Sequence, residues 1–546
     1  MLILSSSKLS ALKSFTTTLP IYDEDVRWKA TIGGELITSC IQHICKSLNE
    51  ATESLLISTD SSNYALQFLE SQAELLLHFL KFIQRKQSFS SSILIIKTIT
   101  SCLKPIKHHP NSLKLLLMTL LSCINSPVFQ STTNDSEVTE VFSRLLPILC
   151  NITDPVDHFT LSISAIDLVT KTFSTPTTWF PIIQEHLNLQ NIIKNTPQQK
   201  LFKFSPCGFK ILLTFARVKK GSEILTNMGF FSSLRVLLDD ENEKEKEKIW
   251  GLGLAVVSTI LHSLNNSSLE TDILDYVISR FILEKPDFVS FCLNTPNFTP
   301  ITTDKKKRAR PQSQTTLTDL KETQHTLSLI CMLAKHQNLW SKTMKEMDAE
   351  LREKSIRLLA FISRGPESNT RSTGWFLSLS SKGKTVNVEE TGLSDVTAIE
   401  VYRIAYYVLK FLCVQADGAA KRAEEVGFVD VARFPDLPMP DILHGLQDQG
   451  IAIVTELCEG KKLTPETESV CILLLQITEK CLYLEFCVSQ VCGIRPVMGR
   501  LEDFSKELKL LLRVTKEHVF VEEWVKSLKQ IASYVYPGLL QTEGCL

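Results

Sequence analysis

The fold class follows from residues 304–365, DKKKRARPQSQTTLTDLKETQHTLSLICMLAKHQNLWSKTMKEMDAELREKSIRLLAFISRG. This segment opens with a basic, proline-bearing run that is too charged to be buried in a core. Thr316 and Asp319 then have the spacing of a helix capping box, and apolar residues recur at helical steps on both sides of a break near Gln337. Gly365, which a proline follows, fits a left-handed helix end. The pattern predicts two long helices that form an antiparallel pair.

The composition of the whole chain indicates a large folded protein. It has 546 residues, which is too many for one compact core, and 44% of them are hydrophobic. Its 59 basic and 60 acidic residues leave a net charge of -1, so the charge balance gives no reason to expect direct binding to nucleic acid. We therefore expect several domains or an elongated array of repeats.

Apolar stripes with helical spacing recur along most of the chain. One stripe runs from Leu36 to Leu48, and another runs from Leu66 to Ile83. The stripes are about 10 to 18 residues long and are joined by short polar connections, as in stacked helical hairpins. Alternation with a period of two residues is scarce. The sequence therefore predicts an all-α fold, an α-solenoid of stacked helical hairpins of the armadillo or HEAT type that forms an elongated superhelix.

Two segments show the glycine spacing of an armadillo-type unit. In residues 209–238 an apolar helix is followed by Gly221 and Gly229, and a second copy is predicted in residues 409–431, where Gly418 and Gly427 have similar spacing. Small residues allow three helices to meet closely. Such units bury their apolar faces only by stacking on their neighbours, which agrees with a solenoid.

The composition also divides the chain into blocks. We predict an N-terminal helical-repeat block at 1–296, a basic linker at 297–316, a long helix pair at 317–365, a mobile loop rich in Ser and Gly at 366–394 and a C-terminal helical-repeat block at 395–546. Trp375 and Phe376 stand as isolated aromatic residues in the predicted mobile loop.

The cysteines and apolar runs favour a reduced compartment and no membrane span. The 15 cysteines are scattered through apolar stretches and include no CxxC pair, so we expect buried, reduced thiols. The N-terminus lacks a basic leader followed by a sustained apolar core, and we expect no secretory signal. The longest uncharged apolar run, at 249–264, is shorter than the span of about 20 residues that a transmembrane helix needs. We expect a buried helix there.

Motifs for catalysis or cofactor binding are not found in the sequence. Lys382-Gly383-Lys384-Thr385 ends like a phosphate-binding loop, but Ser378 stands where that motif needs a glycine. His325 and His336 could share a helix face, yet no cysteine or acid completes a set of metal ligands. We therefore expect no catalytic, cofactor or metal site and no enzymatic activity.

A basic run in the predicted linker has two interpretations. Its charged residues are Lys305, Lys306, Lys307, Arg308 and Arg310. The run resembles a nuclear-localisation signal that an import receptor could bind. It also fits a flexible connector between helical blocks. No aromatic residues are interleaved, so stacking on nucleic acid is not indicated.

Several segments together carry a family resemblance. They are residues 305–310, 320–327, 344–348, 358–365, 423–430, 438–449, 492–497 and 536–543. In these segments the chain resembles the C-terminal portion of the large inner-ring scaffold nucleoporins of the one-eight-eight type, in their plant form. The resemblance implies an α-helical solenoid in the nuclear pore complex of the nuclear envelope, which supports protein and mRNA transport. It also implies that a linker subunit of the inner ring is a partner, and that the family's proteins are longer than this chain.

A helix-in-groove contact is the mechanism that such a scaffold would use. A partner's amphipathic helix would lay its apolar face between stacked helices. We predict one such groove in the last block, formed by Phe504, Leu508, Leu511, Phe520 and Trp524. These residues also fit an ordinary core. The alternative function is a soluble helical-repeat transport receptor or adaptor, which would exchange rapidly instead of remaining in a pore.

Overall fold

The computed structural model describes residues 34–57, 62–83, 88–106, 108–126, 129, 136–153, 158–172, 175–193, 206–239, 243–265, 270–298, 315–345, 347–365, 375–376, 395–426, 436–459, 463–492 and 501–539. These residues form helices and turns and include no strand. The chain has two compact units, Met1–Val236 and Leu237–Leu546. The basic run at 305–310 and nearly all of the predicted loop at 366–394 lie outside the described residues.

The first unit begins with two helices of 24 and 22 residues, and the helices that follow have 5 to 17 residues. In chain order they are α1 Gly34–Ile57, α2 Ser62–Ile83, α3 Phe89–Leu103, α4 Pro110–Ile124, α5 Ser136–Ile152, α6 Phe159–Thr172, α7 Pro176–His186, α8 Leu189–Ile193, α9 Pro206–Ala216, α10 Lys219–Asn227 and α11 Phe230–Asp239, the last of which crosses the border of the unit. Local sequence sets several starts. Ser88 caps α3 by accepting a hydrogen bond from the backbone N of Ser91 at 3.3 Å, and α4 and α7 begin with a proline.

The helices of the first unit stack in two layers. α1, α3 and α5 follow one another in one layer, and α2, α4, α6 and α9 follow one another in the other. Adjacent helices of the two layers, such as α1 and α2, form hairpins. Leu76, Ile96, Leu117 and Leu145 lie between them and are fully buried. This is the arrangement of a helical-repeat protein, in which each hairpin buries its apolar face on the next.

The armadillo-type unit predicted at 209–238 is confirmed as the three helices α9, α10 and α11. Gly221 lies so close to α9 that a Cβ atom there would be 2.2 Å from the carbonyl oxygen of Phe215. Gly229 turns the chain between α10 and α11 with a φ of 80°, a conformation that favours glycine. Gly221 thus serves the close approach of helices that the sequence predicts, and Gly229 serves a turn that the structure adds.

The second unit contains longer helices. In chain order they are α12 Glu243–Ser263, α13 Glu270–Val277 with a π-helical continuation Ile278–Leu283, α14 Pro286–Cys292, α15 Leu317–Ala334, α16 Gln337–Thr343, α17 Met347–Arg364, α18 Asp395–Val426, α19 Pro440–Glu459, α20 Pro465–Cys492, α21 Leu501–Val514 and α22 Glu522–Val535. One layer is the series α12, α15, α18, α20 and α22, each packed on the next, and the other layer is α17, α19 and α21. The prediction of an all-α helical-repeat fold is thus confirmed in both units.

The start and end of the decisive segment are as predicted, but its helices are not an antiparallel pair. Thr316 Oγ1 accepts from the backbone N of Asp319 at 3.3 Å and Asp319 Oδ2 accepts from the backbone N of Thr316 at 2.6 Å, which completes the capping box. Gly365 ends α17 with a φ of 69°. The short helix α16 intervenes, however, and α15 and α17 lie in different layers. Each packs on α18 instead of along the other.

The second armadillo-type unit, predicted at 409–431, is wrong. α18 continues from Asp395 to Val426 as one helix of 32 residues, so Gly418 lies inside it and makes no turn. A Cβ atom on Gly418 would be 2.0 Å from Nε2 of Gln337 at the start of α16. The glycine therefore allows close packing of a side chain, a role that sequence spacing cannot distinguish from a helix break.

Trp375 and Phe376 are not isolated, which corrects that part of the predicted mobile loop. They are 2% and 6% exposed. Trp375 Nε1 donates to the carbonyl oxygen of Ile362 at 2.9 Å, and its ring centroid lies 5.4 Å from that of Phe361. The Phe376 ring stacks on Tyr402 at 5.7 Å. This dipeptide is therefore anchored on α17 and α18.

A buried polar network joins α19, α20 and the residue that follows α22. Glu485 is 1% exposed and accepts hydrogen bonds from Gln447 Nε2 at 2.8 Å and from Tyr536 Oη at 2.9 Å. His444 Nε2 is 3.0 Å from the same carboxylate. Both carboxylate oxygens have hydrogen-bond partners, so the buried carboxylate is not left unsatisfied.

The ends of the predicted linker at 297–316 meet. Thr315 N donates to the carbonyl oxygen of Asn297 at 2.9 Å, and Asn297 N donates to Thr315 Oγ1 at 2.8 Å. The helices on its two sides, α12 and α15, pack together. The domain borders at 296 and 316 stay predictions.

Candidate protein-binding groove

A groove of about 920 Å³ lies on the second unit. It is lined by α13, by the turn between α15 and α16, and by the three helices α18, α20 and α22. These three helices are neighbours in one layer. Its lining residues are Leu274, Asp275, Lys335, His336, Gln337, Asn338, Leu339, Lys410, Cys413, Val414, Asp417, Lys421, Glu479, Lys480, Tyr483 and Ile531. We call this surface the lysine groove.

One face of α18 forms the centre of the lysine groove. Its contributions are Lys410, Cys413, Val414, Asp417 and Lys421, which recur at steps of three and four and share one side of the helix. The opposite side of α18 carries apolar residues such as Ile404, Val408 and Leu412, which are fully buried. α18 is therefore amphipathic, and its polar side is the one left open.

The turn between α15 and α16 is held against α18. Gln337 Nε2 donates to the carbonyl oxygen of Val414 at 3.1 Å, and Gly418 leaves room for this side chain. The contact places Lys335 and Leu339 at the groove. A residue larger than glycine at 418 would clash with the amide end of the Gln337 side chain, which would have to leave its place beside Val414.

A cluster of lysines and tyrosines adjoins the groove. Lys410 Nζ lies 5.6 Å from the ring centroid of Tyr406 and 5.9 Å from that of Tyr407, and Lys480 Nζ lies 5.6 Å from Tyr406. These are cation–π distances, so a single tyrosine ring faces two ammonium groups. Burial lowers the pKa of Lys410, and the positive charges of Lys335 and Lys480 lower it further.

Two of the three acidic residues that line the groove, Asp417 and Glu479, have partners of their own. Asp417 pairs with Lys421 at 2.9 Å and accepts a hydrogen bond from Tyr483 Oη at 3.5 Å. Glu479 accepts from Ser527 Oγ at 2.5 Å. In contrast, Lys335, Lys410 and Lys480 form no ion pair with a described carboxylate.

The thiols near the groove are protonated. Burial raises the pKa of Cys413, which lines the groove, well above its ordinary value. Cys331 donates from Sγ to the carbonyl oxygen of Tyr407 at 3.0 Å, and burial raises its pKa to about 12. Protonated thiols are poor nucleophiles, so these cysteines support packing. Among the described residues no cluster of three or more His, Cys, Asp or Glu could hold a metal ion.

Comparisons with known proteins identify no family. No family model matches the chain, and no curated protein matches its sequence. Among solved structures, the complex of SYS-1 with POP-1 matches 97% of this chain and 85% of that chain at 12% identity and a TM-score of 0.29. A circular tandem repeat protein with a novel repeat topology and enhanced subunit contact surfaces matches 92% of this chain and 98% of that chain at 9% identity and a TM-score of 0.18. At such TM-scores these similarities support no conclusion, and the fold assignment rests on the helix packing.

The groove predicted from sequence involves residues in different layers. α21 packs on α19, whereas α22 packs on α20. Of the five residues, Leu508 and Leu511 are fully buried, while Phe504, Phe520 and Trp524 are half-buried. The ring of Phe504 lies 5.9 Å from Tyr536. Only the three aromatic side chains are partly exposed and could contact a partner. The groove predicted from these five residues stays a prediction.

Sequence reasoning did not identify the lysine groove. The signal is a polar stripe at Lys410, Asp417 and Lys421 on a helix that is otherwise apolar, next to the adjacent pair Tyr406 and Tyr407. The contributions from α15, α20 and α22 depend on how the layers stack, which no local pattern encodes.

The first unit has a smaller cavity, of about 350 Å³, lined in part by Asp167, Ser164 and Cys207. Asp167 is bound by Lys171 Nζ at 2.6 Å and by Thr214 Oγ1 at 3.1 Å, so its charge is already compensated.

No helix among the described residues is long and apolar enough to cross a membrane.

Proposed function

We propose that the chain is a structural scaffold component of the inner ring of the nuclear pore complex, which holds a segment of a linker nucleoporin in a groove between its helices. The lysine groove is the observation that carries the proposal. It crosses α18, α20 and α22 of one layer and combines apolar side chains with Lys335, Lys410 and Lys480, which form no ion pair with a described carboxylate. A groove between stacked helices that combines apolar and charged side chains suits the amphipathic helix of a partner protein.

The sequence resemblance supports this choice of assembly. The segments that resemble the inner-ring nucleoporins begin at Lys305 and extend to the end of the chain. The same part of the sequence contains α15, α18, α20 and α22, which carry most of the groove. The proposed location is accordingly the nuclear envelope, and the proposed role is scaffolding that supports protein and mRNA transport without a cofactor or catalysis.

The alternative is a soluble transport receptor or adaptor. Such a protein would use the same kind of groove, so the two functions differ in partners and in residence at the pore. Recovery of import receptors alone, together with rapid exchange at the nuclear rim, would favour the adaptor and contradict the scaffold.

The test is affinity purification of the tagged chain from its own cells, with Lys410→Glu/Lys480→Glu as the variant and Lys516→Glu as the control. Lys516 is exposed and does not line the groove. We expect the wild-type chain and the control to recover inner-ring nucleoporins and the double variant to lose them. Recovery of no inner-ring subunit by the wild-type chain would contradict the proposal.

A further inference from the structure

We propose that the lysine groove binds an acidic segment of a partner protein, with carboxylates placed among Lys335, Lys410 and Lys480 and apolar side chains placed between them. The inference deepens the proposed function and depends on it only for the class of partner, a protein. The identity of the assembly in which the chain works does not enter the argument.

The charges of the groove favour an occupant with carboxylates. Lys410 and Lys480 are half-buried and face the same tyrosine ring, and Lys335 stands close enough to act on Lys410. Like charges that are held together in a partly buried site repel one another, and an arriving anion relieves this repulsion. Asp417 pairs with Lys421 at 2.9 Å, whereas Glu479 accepts a hydrogen bond from the uncharged hydroxyl of Ser527. The lining has four lysines and three acids, so positive charge is in slight excess, and Lys335, Lys410 and Lys480 form no ion pair with a described carboxylate.

The apolar side chains of the groove favour an occupant that also carries apolar residues. Leu274, Leu339, Val414 and Ile531 contribute to the groove from four different helical segments. Its volume of about 920 Å³ is enough for several side chains of a bound segment. Burial of such side chains supplies affinity, while the lysines determine orientation and selectivity. A segment with both acidic and apolar residues satisfies both parts of the lining.

The same lining disfavours a polyanion. Asp275, Asp417 and Glu479 lie in the groove and would repel a nucleic acid or a polyphosphate, which carries a negative charge at every unit. The net charge of the chain is -1, so no wider positive field compensates for this repulsion. A protein segment can alternate carboxylates with neutral residues and so avoid these three acids.

The experiment measures fluorescence anisotropy of labelled probes with the full chain at about 0.15 M salt. One probe is a peptide with Glu and Leu at helical spacing, the second has Gln in place of every Glu, and the third is an oligouridylate. We expect the Glu peptide to bind about tenfold more tightly than the Gln peptide and more tightly than the oligonucleotide. Lys410→Gln/Lys480→Gln should weaken binding of the Glu peptide about tenfold, whereas Lys516→Gln should not change it.

A conservative variant separates charge from structure. Lys410→Arg/Lys480→Arg keeps both positive charges and should retain binding, and circular dichroism of every variant establishes that it folds. Equal affinity for the Glu and Gln peptides, unchanged binding by the Gln variant, or preference for the oligonucleotide would each overturn the inference. Selective binding of the Glu peptide by a chain that recovers no nucleoporin would uphold it and refute only the proposed assembly.

Discussion

Replacement of Trp375 tests whether the Trp375-Phe376 segment is part of the folded second unit. The side chain is 2% exposed and its ring lies 5.4 Å from Phe361 and 5.6 Å from Phe298. Its backbone N donates to Tyr402 Oη at 3.2 Å, and its Nε1 donates to the carbonyl oxygen of Ile362 at 2.9 Å. Trp375→Ala removes a buried indole and leaves a large cavity.

The magnitude follows from these contacts. Truncation of a buried tryptophan costs about 3–5 kcal/mol in free energy of unfolding. Trp375→Phe keeps most ring contacts and loses the indole hydrogen bond. The carbonyl oxygen of Ile362 also accepts from Gly365 N at 3.2 Å, so the change leaves no unpaired acceptor. We therefore expect Trp375→Phe to lower the free energy of unfolding by about 1–2 kcal/mol.

The assay is urea unfolding followed by circular dichroism, because it reports on helices and not on the replaced fluorophore. The transition of the second unit should shift to lower urea in the order wild type, Trp375→Phe, Trp375→Ala. Tyr534→Ala is the control, since Tyr534 is 65% exposed, and it should stay within about 0.5 kcal/mol of wild type. A Trp375→Ala protein as stable as the control would refute the anchoring of this segment.

Three further predictions concern packing, a buried charge and pH. Gly221→Ala should destabilise the first unit by about 1–3 kcal/mol, because the new Cβ would lie 2.2 Å from the Phe215 carbonyl oxygen, and thermal unfolding measures the loss. Glu485→Ala should cost about 3 kcal/mol in urea unfolding, because it removes the buried acceptor of Tyr536 Oη. Burial lowers the pKa of His325 from 6.5 to about 4. As the pH drops, His325 is protonated in the unfolded chain before it is protonated in the folded chain, so the free energy of unfolding falls between about pH 7 and pH 4. His325→Gln should make this pH dependence smaller.

The outcomes that contradict these predictions differ. A Gly221→Ala protein that unfolds at the wild-type temperature would mean that α9 and α10 do not approach as closely as the structure shows. Unchanged stability of Glu485→Ala would mean that the network contributes nothing to holding α19 and α20 together. Parallel pH profiles for wild type and His325→Gln would mean that the imidazole is freely protonated in the folded chain.

Features that depend on a few neighbouring residues could be predicted from the sequence. The capping box at Thr316 and the left-handed end at Gly365 need only local backbone chemistry. Helical stripes also follow from local periodicity. These signals establish the fold class because each of them acts within one or two turns of a helix.

Features that depend on how helices stack could not be predicted. Gly418 has the same local context as a glycine at a turn, and only its contact with Gln337 shows why a small residue is needed. Trp375 is isolated in the sequence and acquires its partners from helices α17 and α18. The lysine groove is missed for the same reason, because Lys335, Lys410 and Lys480 are brought together only by the order of the layers.

Photo-crosslinking from the lysine groove tests the central claim of the account most directly. A photoreactive residue replaces Leu339, which lines the groove, in the tagged full chain, and a second chain carries it at Tyr64, which is 70% exposed in the first unit. Mass spectrometry of the irradiated complexes then identifies the attached segments. We predict that position 339 captures an acidic, partly apolar segment of a partner protein and that position 64 does not. Capture of the partner from position 64 with none from position 339 would contradict the account.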